Sequence, residues 1–177
     1  MPTVETTVRA IEANVAAWKS EAASIQANTS LTALARNQQL NGGYNAAFER
    51  HSNLFAEMRA EVETERQTLT EALLAGSGDD LSIRDSMDRA RNAKNGKELR
   101  ELLDQANLTS DQPLVRAVSY EAVRRHLWDT LKAAADAGFA PAAKLLDFEQ
   151  TYGSLQSTQA GFALKIRTSG PSRVAGM

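Results

Sequence analysis

The chain has 177 residues, of which 42% are hydrophobic and 6% aromatic, and its formal net charge is −2. This length suits one large domain or two small ones, and the apolar fraction suffices for a buried core. The absence of cysteine excludes disulfide scaffolds and thiolate metal sites. The small net charge excludes a strong general attraction to nucleic acid or membranes. We see no signal-peptide pattern or membrane-length apolar run, so we expect a soluble protein made in the cytoplasm.

The first predicted element is a long amphipathic helix that begins near Pro2 and ends near Asn28. Its apolar residues recur at intervals of four and three: Val4, Val8, Ile11, Val15, Trp18, Ala22 and Ile25. This spacing keeps one apolar seam on one side of the helix, facing a partner helix as in a coiled coil. At about 1.5 Å per residue, the helix is about 35 Å long.

A second, longer helix is predicted over residues 31–75. Its seam continues the four-three spacing through Tyr44, Phe48, His51, Phe55, Met58, Val62, Glu65, Leu69 and Ala72. Gly42 and Gly43 interrupt it, and each glycine costs a helix about 1 kcal/mol relative to alanine. Neither a hairpin turn nor a phosphate loop fits, because both need a flanking strand. We therefore predict a continuous or kinked helix, with an open break at the two glycines as the alternative.

The mismatch in helix length predicts a partner-binding surface. The second helix is about 65 Å long, so the first helix covers only about half of it. The rest of its seam is expected to meet the C-terminal part of the chain or another subunit. Five residues of this seam are predicted to bind a partner: Tyr44, Phe48, Phe55, Met58 and Val62.

The segment GSGDD, at residues 76–80, predicts a boundary between a helical hairpin over residues 1–75 and a helical bundle over residues 81–153. The bundle is predicted to contain four helices, over residues 81–93, 97–106, 114–137 and 141–152. Gly138 followed by Phe139 predicts a glycine helix stop with a hydrophobic contact. The pattern as a whole predicts an all-α fold, in which the bundle consists of antiparallel helical pairs.

Residues 154–177 are predicted to form an arm or a flexible tail. The stretch FALKI, at residues 162–166, alternates like a strand but has no second strand to pair with. A helix end and an extended arm therefore both stay open. In an arm, Phe162, Leu164 and Ile166 would form an apolar face that docks on a neighbouring subunit.

No pattern of reactive residues predicts a catalytic, cofactor or metal site. His51 and His126 lack the spacing of metal ligands, although His51 on the seam would make that seam sensitive to pH. Trp18 and Trp128 stand among helical apolar residues and are predicted to lie in the core. Acidic residues interleave with the basic ones of segment 84–100, so nucleic-acid binding is not expected.

Six stretches carry a resemblance to a known group: MPTVETTVRAIEANVAAWKSEAASI, LTALARNQQL, YNAAFER, LSIRDSMDRA, KELRELLDQANLTSDQPLVRAVSYEAV and GFALKIRTSGP. Their order resembles small helical proteins encoded in the virion-structure gene clusters of tailed phages and prophages of actinobacteria. NGG, at residues 41–43, departs from the uninterrupted helix expected in that group. The resemblance implies a virion assembly or head-associated structural protein, and it brings no catalytic residues.

The sequence therefore predicts a non-enzymatic phage protein, a head accessory or scaffold, that self-associates and binds other virion proteins. It would act in the host cytoplasm during assembly, with the virion as a further location. A cellular helical adaptor or regulator, and a nucleic-acid-associated helical protein, stay as alternatives.

Overall fold

A computed structural model of the protein describes residues 4–76 and 80–153, and the regular secondary structure in these ranges is helical. Seven helices follow one another: α1 Val4–Ala27, α2 Ala33–Ala72, α3 Asp80–Asn92, α4 Gly96–Thr109, α5 Gln112–Arg124, α6 Trp128–Asp136 and α7 Ala140–Tyr152. The predicted all-α fold, with a long N-terminal helical pair followed by shorter helices, is confirmed. The predicted arm, including Phe162, Leu164 and Ile166, lies outside the described residues.

The described chain divides into two compact units, the first formed by residues 4–63 and the second by residues 64–76 and 80–153. The division falls inside α2, whereas the sequence placed a boundary at the glycine-containing segment 76–80. The side chains at the end of α2 explain the difference. Leu73 is fully buried in the core of the second unit, and Leu69 packs against that core. Arg66 also pairs with Glu149 on α7, so the last turns of α2 belong to the second unit.

In the first unit, two buried or half-buried polar contacts fix the register between α1 and α2. Thr7 donates a hydrogen bond to the Glu61 carboxylate at 2.8 Å, and the Asn14 side-chain amide donates to the Ala47 carbonyl at 3.0 Å. Because the start of α1 meets the later part of α2, the two helices run antiparallel. Their buried apolar residues are Val4, Ile11, Val15, Trp18 and Ala22 on α1, and Leu40, Ala47, Phe55, Met58 and Val62 on α2.

Helix α2 is continuous through Gly42 and Gly43, as predicted. The two glycines have different surroundings. A Cβ atom at Gly43 would lie 2.7 Å from Cζ3 of Trp18, whereas a Cβ at Gly42 would meet nothing within 4 Å. Gly43 therefore lets the indole of Trp18, only 1% exposed, lie directly against the α2 backbone.

The second unit is a set of short helices around one core. Helices α3 and α4 pack against α5, α6 packs against α5 and α7, and α4 also contacts α6. The largest fully buried side chains of this core are Leu73, Leu99, Leu103, Leu114, Leu131 and Leu145. Small residues such as Ala90, Ala117 and Ala134 are also fully buried, which lets the helices approach one another closely.

Helices α4, α5 and α6 end in the same way. A residue with positive φ follows the end of each helix: Ser110 (55°), His126 (57°) and Gly138 (95°). The next amide donates back to a carbonyl in the last turn: Asp111 to Ala106, Leu127 to Ala122 and Phe139 to Ala134, at 2.8–3.0 Å. These bonds define Schellman motifs. The donating residue is also the N-cap of the following helix, so the connections contain almost no free residues.

The prediction of one helix over residues 114–137 is wrong, because the chain turns at His126 between α5 and α6. Positive φ favours glycine, and neither glycine nor proline marks this break in the sequence. The turn closed by the hydrogen bond from the Leu127 amide to the Ala122 carbonyl overrides the helical propensity of the surrounding residues. The predicted stop at Gly138 with Phe139 is confirmed, since Gly138 has positive φ and Phe139 packs against the core.

Candidate partner-binding surfaces

Three aromatic rings in the first unit lead from the core to the surface; we call Trp18, Tyr44 and Phe48 the aromatic row. The Trp18 and Tyr44 ring centroids are 6.2 Å apart in an edge-to-face arrangement. Tyr44 and Phe48 stack with centroids 6.1 Å apart and planes inclined by 20°. Trp18 is buried, Tyr44 is half-buried and Phe48 is 40% exposed. Phe48 is therefore an exposed aromatic side chain whose orientation is supported by a packed neighbour.

The five α2 residues predicted to bind a partner have different environments. Tyr44 and Phe48 reach the surface, whereas Phe55, Met58 and Val62 are each only 2% exposed. The Thr7–Glu61 and Asn14–Ala47 contacts place the buried three beside the α1 seam. Helix α1 thus extends along α2 as far as Glu61. Phe55, Met58 and Val62 are therefore covered and do not form the exposed half of the seam that the sequence predicts. A partner-binding role for them stays a prediction, and in this conformation it would require the first unit to open.

His51 lies in the same seam and is 3% exposed. Its ring centroid is 6.1 Å from that of Phe55, which provides an apolar neighbour. Burial lowers the pKa of His51, because desolvation disfavours the charged imidazolium. The neutral imidazole is therefore the form that the folded first unit accommodates.

The lowered pKa of His51 predicts that the first unit loses stability in mild acid. The unfolded chain takes up a proton near the ordinary pKa of 6.5, before the folded chain does. Stability is therefore retained above about pH 6.5 and falls as the pH drops below it, by up to about 1.4 kcal/mol per pH unit. Urea unfolding at pH 7.5 and 5.5 measures this loss, which should be much smaller in His51→Gln. An equal loss in the variant would contradict the assignment to His51.

In the second unit, Glu121 is a fully buried carboxylate surrounded by arginine donors. Nε of Arg124 donates to it at 2.8 Å, and Nε of Arg125 donates to its other oxygen. Arg125 also donates to the carbonyls of Arg91 and Ala93, at 2.8 and 2.6 Å, and so joins the ends of α3 and α5. The hydrogen bond from Arg124 is the main cause that lowers the pKa of Glu121. This inaccessible carboxylate stabilises the helix ends and is not placed to exchange protons with a substrate.

The described part of the second unit has at least two clefts on its surface. The first cleft has a volume of about 480 Å³ and is lined by Arg89, Asn92, Ala93, Glu98, Glu101, Leu102 and Gln105. The second cleft has a volume of about 450 Å³ and is lined by Gly96, Arg100, His126, Leu127, Trp128, Asp129 and Thr130. The prediction that Trp128 is a core residue is wrong, since its side chain is 37% exposed in the second cleft. Its ring centroid lies 6.2 Å from that of His126.

Three of the six basic residues in segment 84–100 are paired with carboxylates. Arg89 lies 3.7 Å from Asp111, Lys97 lies 3.7 Å from Glu101, and Arg100 lies 3.1 Å from Asp104. Such compensation disfavours phosphate binding along this helix pair. Within residues 4–76 and 80–153, no group of three or more acidic or histidine side chains is arranged to hold a metal ion. No helix in the same ranges has the length and apolarity to cross a membrane.

Sequence reasoning missed Glu121, the αL residue His126 and the exposure of Trp128. The sequence does contain one signal that includes Glu121, because the spacing of Leu99, Leu103, Ala106, Pro113 and Glu121 recurs 28 residues later.

Comparison with known proteins adds no assignment, since no protein family, curated protein or solved structure matches this chain.

Proposed function

We propose that this protein is a non-enzymatic helical assembly protein that self-associates through the aromatic row. The observation that supports the proposal is Phe48, an exposed ring that stacks on Tyr44 and thereby on the core residue Trp18. A supported aromatic side chain is a typical anchor of a protein interface, because it buries a large apolar area with little loss of side-chain freedom.

The context of the proposal is virion assembly in a tailed phage, where the protein would serve as a head accessory or scaffold and contact other virion proteins. The order of sequence features that resembles the virion-cluster proteins supports this context. Mass spectrometry of particles purified with and without this chain tests it. We expect a fixed number of copies per precursor or mature particle, or failed assembly without the chain. Absence from all particles, together with normal assembly, would contradict the context and favour a cellular adaptor.

We expect Phe48→Asp to weaken self-association at least tenfold. Burial of a phenylalanine side chain contributes about 1.5–3 kcal/mol, and 1.4 kcal/mol corresponds to a factor of ten in affinity. Sedimentation velocity over a range of protein concentrations measures the change. Asn53→Asp is the matched control, since it adds the same charge at an exposed position of α2.

Phe48 is a sharper test position than Phe55 or Met58, which are buried. A charge at either buried position would unfold the first unit, and lost association would then have no clear cause. If the wild type stays monomeric at all concentrations, or if both aspartate variants associate alike, self-association through the aromatic row is contradicted.

A further inference from the structure

The second unit contains an internal repeat of two helical hairpins, α4–α5 and α6–α7. Helices α5 and α7 are each 13 residues long, and they begin 28 residues apart at Gln112 and Ala140. The same 28-residue step joins five identical pairs: Leu99 and Leu127, Leu103 and Leu131, Ala106 and Ala134, Pro113 and Pro141, and Glu121 and Glu149. It also joins the positive-φ residues Ser110 and Gly138. Sequence, turn geometry and the length of the second helix of each hairpin therefore share one period, whereas the first helices differ, with 14 residues in α4 and 9 in α6.

The burial of side chains follows the same period. Leu103 and Leu131 are fully buried, as are Ala106 and Ala134. On the second helix of each hairpin, Ala117 and Leu145 are fully buried at equivalent positions. Each hairpin thus presents the same face to the shared core, as expected for stacked helical repeats.

The two clefts are also related by the 28-residue step. Glu98, Glu101 and Leu102 line the first cleft, and the residues 28 positions later, His126, Asp129 and Thr130, line the second. Three of the seven lining residues of each cleft correspond in this way, and we call the two clefts the grooves of the repeat. Repeat proteins bind extended partners along successive surfaces of their repeats.

The chemistry of both clefts favours a cationic side chain. In the second cleft, the exposed indole of Trp128 is next to Asp129, and no described residue places a cation within 4.0 Å of that carboxylate. The cation in that cleft, Arg100, is already paired with Asp104. The first cleft contains the carboxylate of Glu98, which accepts a hydrogen bond from the Lys94 amide, and that of Glu101, which lies 3.7 Å from the exposed ammonium of Lys97. Its Arg89 is paired with Asp111 outside the cleft. A cation over an indole ring is attracted by the negative face of the ring.

The spacing between the grooves sets the spacing of the residues that would occupy them. Helices α4 and α6, which occupy equivalent positions in the two hairpins, contact each other. Packed helices lie about 8–10 Å apart, and an extended chain of the polyproline II type advances about 3.1 Å per residue with three residues per turn, so side chains three residues apart lie on the same side of it. Side chains about three residues apart would therefore reach successive grooves.

We propose that the two grooves bind an extended basic segment of a partner protein. One arginine or lysine would lie against Trp128 and Asp129, and a second, about three residues away, would lie near Glu98 and Glu101. This surface belongs to the second unit and does not depend on self-association through Phe48.

Two peptides of identical composition test the proposal against the full-length protein. We would measure the fluorescence anisotropy of dye-labelled Gly-Arg-Gly-Gly-Arg-Gly and Gly-Gly-Arg-Arg-Gly-Gly at about 0.15 M salt. We expect the peptide with separated arginines to bind at least about fivefold more tightly. Trp128→Ala and Asp129→Asn should each weaken its binding about fivefold, whereas Leu108→Ala, at an 88% exposed position outside both clefts, should not.

Equal affinity for the two peptides would mean that binding depends on their charge and not on the spacing of their arginines, and it would overturn the proposal. Absence of binding to both peptides, or unchanged binding in Asp129→Asn, would overturn it as well. Circular dichroism confirms that each variant is folded, and Trp128→Phe, which keeps an aromatic face, should retain more affinity than Trp128→Ala. If Trp128→Phe and Trp128→Ala bind equally well, the cation–aromatic contact is refuted.

Discussion

Replacement of Glu121 by alanine is expected to lower the free energy of unfolding of the second unit by about 3 kcal/mol. Removing one partner from a buried ion pair costs about 3–5 kcal/mol, because the remaining charge loses its compensation. Arg124 is largely exposed and can regain water, which favours the lower end of that range. Arg125 is mostly buried and would keep only its bonds to the carbonyls of Arg91 and Ala93. Urea unfolding at neutral pH, followed by circular dichroism, measures the loss.

Glu101→Ala is the matched control for this experiment. Glu101 pairs with Lys97 four residues away, and both side chains are exposed. An exposed pair contributes about 1 kcal/mol or less, so the control should change little. Because the pKa of Glu121 is lowered, its contribution is present above the ordinary value of 4.5 and is lost as the pH falls through the folded-state pKa. Equal effects of the two substitutions at neutral pH would contradict a structural role for Glu121.

Replacement of Gly43 by leucine is expected to destabilise the first unit by about 2 kcal/mol, whereas the same replacement at Gly42 should stabilise it. Leucine forms helix better than glycine by nearly 1 kcal/mol, and both positions receive this gain. At Gly43 the new Cβ would lie 2.7 Å from Trp18, and overpacking a core costs about 1–3 kcal/mol for a small misfit. The larger leucine side chain adds to that misfit.

The pair Gly42→Leu and Gly43→Leu separates packing from helix propensity, because the residue type and the helix are the same. Urea titration followed by near-ultraviolet circular dichroism in a Trp128→Phe background, where Trp18 is the remaining tryptophan, would report the unfolding of this unit. If both variants gained stability, the close approach of Trp18 to the α2 backbone would not exist in solution. A smaller loss of stability from Gly43→Leu in a Trp18→Ala background than in the wild-type background would locate the clash at the indole.

Helix existence was predictable where apolar spacing was regular. Of the seven residues of the predicted α1 seam, Val8 and Ile25 are half-buried and the other five are buried: Val4, Ile11, Val15, Trp18 and Ala22. The spacing also carried the prediction of α2 across Gly42 and Gly43, since one helical face stayed apolar on both sides. The pattern could not show why position 43 is glycine, because the reason is the Trp18 ring, which helix α1 contributes.

Helix ends and site residues were less predictable, because they depend on contacts between distant parts of the chain. His126 adopts the left-handed conformation without a glycine to announce it, so α5 and α6 were predicted as one helix. Phe55, Met58 and Val62 fit the pattern of a partner seam as well as that of an internal seam, and only their burial distinguishes the two. Periodicity identifies an apolar face but does not identify the surface that covers it.

The shared turns at Asp111, Leu127 and Phe139 have a consequence for how the second unit forms. Each of these residues ends one helix and starts the next, so successive helices meet without a long loop to close. Ordering a short connection loses little chain entropy, and proteins dominated by local contacts fold in microseconds to milliseconds. A nascent hairpin α4–α5 would therefore offer a template on which α6–α7 condenses as synthesis proceeds.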